Sequence, residues 1–234
     1  MGNNKLFYLI LTLFFISYGS FSVDFELKIA EKSGKINIRE KDGEWTELTD
    51  DMNIPADTEI FTDFHSSITF EIGPGSYVTV NQLTNLTVKE QKINLNDVMT
   101  EMDLSNGFII VYAAVVKSYK NRIKINLPNG YMMFEKSGGE VYSRAKQGAI
   151  IKSFQGSIRI YPKIKTFYFI TKNEMCGITS GGILLENDYF LRRNMNTIPG
   201  NIENPGQMEY YFNYIFQPYT EDIGSNDYRD ALVP

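Results

Sequence analysis

Residues 67–80 read Ser67-Ile68-Thr69-Phe70-Glu71-Ile72-Gly73-Pro74-Gly75-Ser76-Tyr77-Val78-Thr79-Val80. Apolar and polar side chains alternate up to Ile72 and again from Tyr77, with a glycine–proline–glycine step between. A period of two sends alternate side chains to opposite faces of a pleated strand, so one face is apolar and the other polar. Gly73 and Gly75 tolerate the positive φ that a tight reversal needs, and Pro74 fixes its own φ. The stretch is two strands and a turn.

The same scheme recurs on either side of it. Lys35-Ile36-Asn37-Ile38-Arg39, Asn85-Leu86-Thr87-Val88-Lys89 and Arg122-Ile123-Lys124-Ile125-Asn126-Leu127 alternate in the same way. Ser157-Ile158-Arg159-Ile160 and Thr166-Phe167-Tyr168-Phe169-Ile170 follow. β-branched and aromatic residues dominate these runs, as a half-buried pleated surface requires. Asp42-Gly43, Asn106-Gly107, Asn129-Gly130 and Ser137-Gly138-Gly139 read as further turns. The expected fold is all-β, built of short antiparallel strands closed as a sandwich or as a β-solenoid. Only Leu95 to Leu104 reads otherwise. Its Leu95, Val98, Met99 and Met102 follow helical spacing and predict a short connecting helix.

Residues 1–22 read as a cleavable export signal. Lys5 precedes the apolar run Leu6–Ile16, and Ser20-Phe21-Ser22 offers the small-x-small pattern of a cleavage site. A membrane span needs about 20 apolar residues, and this run is about half that. The expected layout is therefore a signal helix over 1–22, a β domain over 23–198 and an irregular tail over 199–234. Export to a periplasm or the medium is expected, with no membrane span left after cleavage. Cys176 is the sole cysteine, so no disulfide forms within the chain.

The formal net charge is -5. From Gly200 onward the tail holds six acidic residues and the single base Arg229, which accounts for the whole imbalance. A neutral body lacks the concentrated basic face of a nucleic-acid binder. Lys117, Lys120, Arg122 and Lys124 cluster, but they alternate with apolar residues as a solvated strand does. The tail also contains the aromatic run Tyr210-Tyr211-Phe212-Asn213-Tyr214-Ile215-Phe216, which plain linkers lack. It would either dock on the body or meet a partner. Trp45, Tyr210, Tyr211, Phe212, Tyr214 and Phe216 are thus the candidate partner-binding residues.

The order of motifs resembles the FecR-type periplasmic domain family. Gly34-Lys35-Ile36, Trp45 with Leu48, and Asp57-Thr58-Glu59-Ile60-Phe61-Thr62 match its opening strands. Residues 66–73, 75–80 and 84–88 resemble its next three strands. Asp103-Leu104-Ser105-Asn106-Gly107 is similar to its glycine step, and Lys124 to Tyr131 to its proline corner. The closing strands would be Ser137 to Tyr142 and Ile151 to Ile160. Ser137-Gly138-Gly139-Glu140-Val141 departs from the family's usual G-T-x-F pattern. The resemblance covers residues 34–161 and implies a β domain outside the cytoplasm. Founding members join that domain to a cytoplasmic anti-sigma segment and relay a transporter's state. The few residues before Leu6 leave no room for such a segment, so direct sigma-factor control is not expected.

Catalytic and metal chemistry find little support. His65 lies in Thr62-Asp63-Phe64-His65-Ser66-Ser67, which invites a triad reading, but sequence neighbours on a strand or turn point apart. Cys176 would need a base, and His65 is the lone histidine available. Asp42, Glu44, Asp50, Asp51 and Asp57 lack the spacing of a calcium loop, and with one histidine and one cysteine a tetrahedral zinc site would need carboxylates to fill the sphere. Ser137-Gly138-Gly139 and Ser180-Gly181-Gly182 do not lead into a phosphate-binding helix. Asn85-Leu86-Thr87 matches a glycosylation acceptor. The expectation is a non-enzymatic binding or scaffold module, without cofactor or metal, for an envelope protein or polymer. The alternatives are an envelope signal relay and a glycan- or wall-active enzyme using acidic residues.

Overall fold

The computed structural model describes residues 27–49, 52, 54–94, 97–117, 119–164 and 166–192, together with Phe212 and Ile215. The expected leader and Tyr210, Tyr211, Tyr214 and Phe216 lie outside the described residues.

The chain is nearly all β, with its strands in one continuous sheet. Its first part holds β1 (Lys28–Ser33), β2 (Ile36–Arg39), β3 (Thr46–Glu47), β4 (Thr58–Thr62), β5 (Ser67–Glu71) and β6 (Tyr77–Val80). The middle holds β7 (Asn85–Asn94), β8 (Asp97–Tyr112), β9 (Val115–Val116), β10 (Tyr119–Leu127) and β11 (Gly130–Glu135). β12 (Gly138–Arg144), β13 (Gly148–Gln155), β14 (Ser157–Pro162), β15 (Tyr168–Thr171), β16 (Met175–Thr179) and β17 (Leu184–Leu185) follow. A short helix, α1 (Asn187–Arg192), comes next.

Strand β8 organises the whole. Its first half pairs with β7 and, in parallel, with β10; its second half pairs antiparallel with β6 and β12. The sheet therefore folds into two layers that share this strand. The first layer runs β1-β5-β6-β8-β12-β13-β16-β17. The second runs β3-β2-β4-β7-β8-β10-β11-β14-β15.

One apolar cluster fills the space between them. Ile68, Phe70, Val78, Val80, Val141 and Ile151 come from the first layer, and Ile38, Ile60, Leu86, Ile123, Phe134 and Ile158 from the second, all buried. The layers touch closely enough that Gly139 has no room for a side chain: an added Cβ would lie 2.5 Å from Ile158 Cδ1. This closure is a sandwich rather than a solenoid.

Two expectations are corrected here. No helix spans Leu95 to Leu104, because residues from Asp97 onward are in β8, where Val98, Thr100, Met102 and Leu104 alternate into the core. The helical spacing was coincidental: buried Thr100 is polar, which hid the period of two, while Met99 faces outward. Asn106-Gly107 is likewise no hairpin turn but the middle of the same 16-residue strand. Ser105 and Asn106 are both exposed, and the buried positions change from even to odd numbers across them. That one-residue shift acts as a bulge and lets β8 leave one layer and join the other with its apolar side still inward.

Part of the outer face of the first layer, over β12, β13, β16 and β17, is covered by the chain itself. Tyr142, Ile150, Met175 and Leu185 form a second buried cluster with Phe212 and Ile215, and Phe108 and Tyr189 pack against it. Phe108 stacks on Tyr142 with centroids 4.2 Å apart, and the Tyr189 hydroxyl donates to the Ile215 carbonyl. Of the aromatic run in the tail, Phe212 and Ile215 thus return to the body.

Candidate binding face

The outward set of side chains on the second layer forms ordered rows. Register places Arg39 opposite Glu59, Glu59 opposite Thr87, and Thr87 opposite Asp103. Asp103 is then paired with Asn126, Asn126 with Tyr131, and Tyr131 with Tyr161. Seven strands contribute one residue each to this row. At the usual strand spacing of about 4.8 Å it extends roughly 29 Å. It exists because each strand buries its apolar residues on the core side, which leaves the alternate polar set outward.

Hydrogen bonds fix the row. Asn126 Nδ2 donates to Asp103 Oδ1 and to Glu101 Oε1, at 2.7 Å in both cases. Lys124 Nζ reaches Glu101 Oε1 at 2.9 Å and also lies over the Tyr131 ring, 5.0 Å from its centroid. Arg39 pairs with Glu59 at 2.6 Å, Lys89 with Asp57 at 2.8 Å, and Arg122 with Asp97. Burial opposes the charge on Glu101, but hydrogen bonds from Asn126 and Lys124 outweigh it and hold its carboxyl below the usual value. Asp57 is held low by its bond to Lys89.

Between β2, β4, β7 and β8 the rows open into a polar cleft of about 580 Å³. Its wall includes Arg39, Asp57, Glu59, Thr87, Lys89 and Asp103. Acids and bases are nearly balanced there, and the principal ones are already paired. Such a surface offers many fixed donors and acceptors without a net field.

Trp45 stands beside this cleft. It is 42% exposed, with the Arg39 guanidinium 4.7 Å from its ring centroid and Phe61 edge-on at 6.4 Å. Of the partner-binding candidates among the described residues, Trp45 is set beside the open face, whereas Phe212 is fully buried under the first layer; Asp42 and Asp57, weighed as metal ligands, line the cleft itself. Reading the strands for their core side alone passes over Arg39, Glu59, Thr87, Asp103, Asn126 and Tyr131. The signal for them was the outward half of each alternation.

The residues weighed for catalysis are held apart from that face or locked in structural roles. His65 is an exposed turn residue with φ of 54°, and its backbone N–H donates to Gln82 Oε1 at 2.8 Å. Ser66 Oγ accepts the Lys35 N–H at 2.8 Å and donates to the Phe64 carbonyl at 3.1 Å. Asp63 Oδ1 accepts from Phe64 N. No triad is assembled by these groups. Cys176 is fully buried in β16, and burial pushes its thiol well up from the ordinary value. Ser180-Gly181-Gly182 forms the turn after β16, with Gly182 N donating to the Thr179 carbonyl. Among the described residues no group of His, Cys, Asp and Glu is placed to hold a metal ion.

No family profile matches the chain. No curated protein sequence matches it either. Among solved structures, it is similar to a "putative anti-sigma factor" from Parabacteroides distasonis, seen in two crystal structures. The 1.65 Å structure shows 12% identity and a TM-score of 0.45, covering 55% of this chain and 58% of that one. The 2.50 Å structure shows the same identity and TM-score, covering 57% and 63%. The chain thus spans about three fifths of the length of those relatives.

Proposed function

We propose that the chain is an exported, non-enzymatic binding module whose working surface is the open outer face of the second layer. The observation that carries this reading is the seven-strand row from Arg39 to Tyr161. Its hydrogen bonds set donors and acceptors in fixed positions before any partner arrives, which lowers the ordering cost of association. The first layer cannot offer the same surface where Phe212, Ile215 and Tyr189 cover it. Residues 1–22 act as the leader, with cleavage after Ser22, and the partner is an envelope protein or polymer.

Two measurements test this. Sequencing the N terminus of the protein recovered outside the cytoplasm should begin at Val23. An immobilised protein should retain one defined envelope component, and Thr87→Arg and, separately, Asp103→Ser should each abolish that retention in protein that keeps its β-sheet circular dichroism. Retention that survives both substitutions would refute the assignment of this face.

A further inference from the structure

The hairpin between β14 and β15 carries a surface unlike the rest of the second layer. From Ser157 to Lys172 the sequence holds Arg159, Lys163, Lys165 and Lys172 and no acidic residue. Ile164, in the connection itself, is 70% exposed, and Phe167 and Phe169 are 48% and 46% exposed. Phe167 meets Phe169 edge to face with centroids 5.2 Å apart, and it tilts against Tyr161 at 6.0 Å. The rings therefore make one patch.

Among the described residues the cations of this patch carry no ion pair, and neither do Lys41 beside the cleft and Lys136 beside Arg159. Arg39, Lys89, Lys120, Arg122 and Lys124 each have a carboxylate partner on the same layer. Arg159, Lys163 and Lys172 have none among the described residues. Unpaired cations and exposed apolar side chains thus coincide. A hollow of about 330 Å³, lined by Met133, Glu135, Lys136, Ser157, Arg159 and Phe169, includes neither Ile164 nor Phe167 in its wall. A peptide ordered by the edge of β15 or by that hollow would leave Ile164 and Phe167, in the connection, unused. A lipid surface needs neither edge nor hollow: apolar side chains enter the headgroup boundary while cations meet anionic headgroups.

We propose that the β14–β15 hairpin docks the protein on an anionic lipid surface, with Ile164 and Phe167 entering the interface and Arg159 and Lys163 facing the headgroups. The net charge of -5 does not oppose this at physiological salt. Screening confines each charge to about 8 Å, so the local patch decides the interaction.

Sedimentation of the processed protein with vesicles of phosphatidylglycerol and phosphatidylethanolamine tests the proposal, with phosphatidylcholine vesicles as the neutral control. Retention is expected on the anionic vesicles only, falling as salt rises. Lys163→Ala should weaken it about fivefold. Ile164→Asp with Phe167→Asp should weaken it roughly tenfold or more, since both apolar anchors are lost. These side chains are exposed, so an unchanged thermal midpoint separates lost docking from lost folding. No retention on anionic vesicles, or retention equal in the double variant, overturns the proposal. Binding of a glutamate–phenylalanine copolymer without vesicle binding makes the patch a peptide site and overturns it as well.

Discussion

Gly107 sits where β8 crosses between layers, with φ of 113° in the middle of a strand. A Cβ there would lie 2.3 Å from Thr84 Oγ1 and 2.5 Å from Thr84 Cα. Thr84 is itself fixed: its hydroxyl accepts the Phe108 N–H at 2.9 Å and reaches the Phe108 carbonyl at 3.2 Å. Gly107→Ala therefore meets both backbone strain and a steric clash, and should cost about 3 kcal/mol. Thr84→Val keeps the shape but leaves buried partners unmade, costing about 1–3 kcal/mol. Urea unfolding midpoints of the two variants check both figures. Cys176 gives a residue-scale prediction of another kind. Its thiol is harder to ionise folded than unfolded, so the folded state holds its proton longer. The stability this contributes is fully present below the unfolded thiol's pKa of about 8.5 and declines as pH rises above it. Tyr142 adds a similar decline from about 10, because burial and then the Glu140 carboxylate raise its hydroxyl. Cys176→Ala should flatten the fall between those two pH values, and native protein should leave the thiol unlabelled by aromatic disulfide reagents until it unfolds.

At the scale of elements, the segment bearing Phe212 and Ile215 completes the first layer. Phe212 is fully buried with Tyr142, Ile150, Met175 and Leu185. Phe212→Ala should cost about 3–5 kcal/mol, the usual penalty for emptying a buried aromatic site. Ending the chain at residue 199 should expose the same apolar face, seen as increased binding of a hydrophobic dye to a protein that still shows β-sheet circular dichroism. The alternation of Ile68, Phe70 and Ile72, or of Ile123 and Ile125, made β2, β5, β6, β7, β10, β14 and β15 legible, because burial on one side leaves a local trace every second residue. β8 was not legible. Its inward positions include polar Thr100, its outward ones include Met99, and its phase changes at Ser105-Asn106. A dipeptide such as Asn106-Gly107 signals positive φ, but the same φ serves a hairpin or a crossing between layers. Only the partners of the flanking residues decide between these, and they come from β6, β7, β10 and β12.

At the scale of the molecule, the two layers have different outer faces. One is closed in part by the chain's own aromatic side chains, and the other is open and, outside the β14–β15 hairpin, polar. The open face was the least legible part of the chain, because its row draws on residues from Arg39 to Tyr161 that meet only through pairing of strands distant in sequence. Trp45 is the sequence's pointer to it, and as the sole tryptophan it is also its reporter. Its ring holds Arg39 on one side, and Arg39 in turn bonds Glu59 within the cleft wall. A partner that competes for Glu59 would loosen Arg39 and so change the polarity around the indole. Occupation of the cleft should therefore shift or quench the Trp45 emission, whereas lipid docking through the distant β14–β15 hairpin should leave it unchanged. Glu59→Gln should weaken the charged anchor of Arg39 and reduce the partner-induced change. An envelope partner that binds with full affinity while the emission stays constant would place its contact elsewhere than this face.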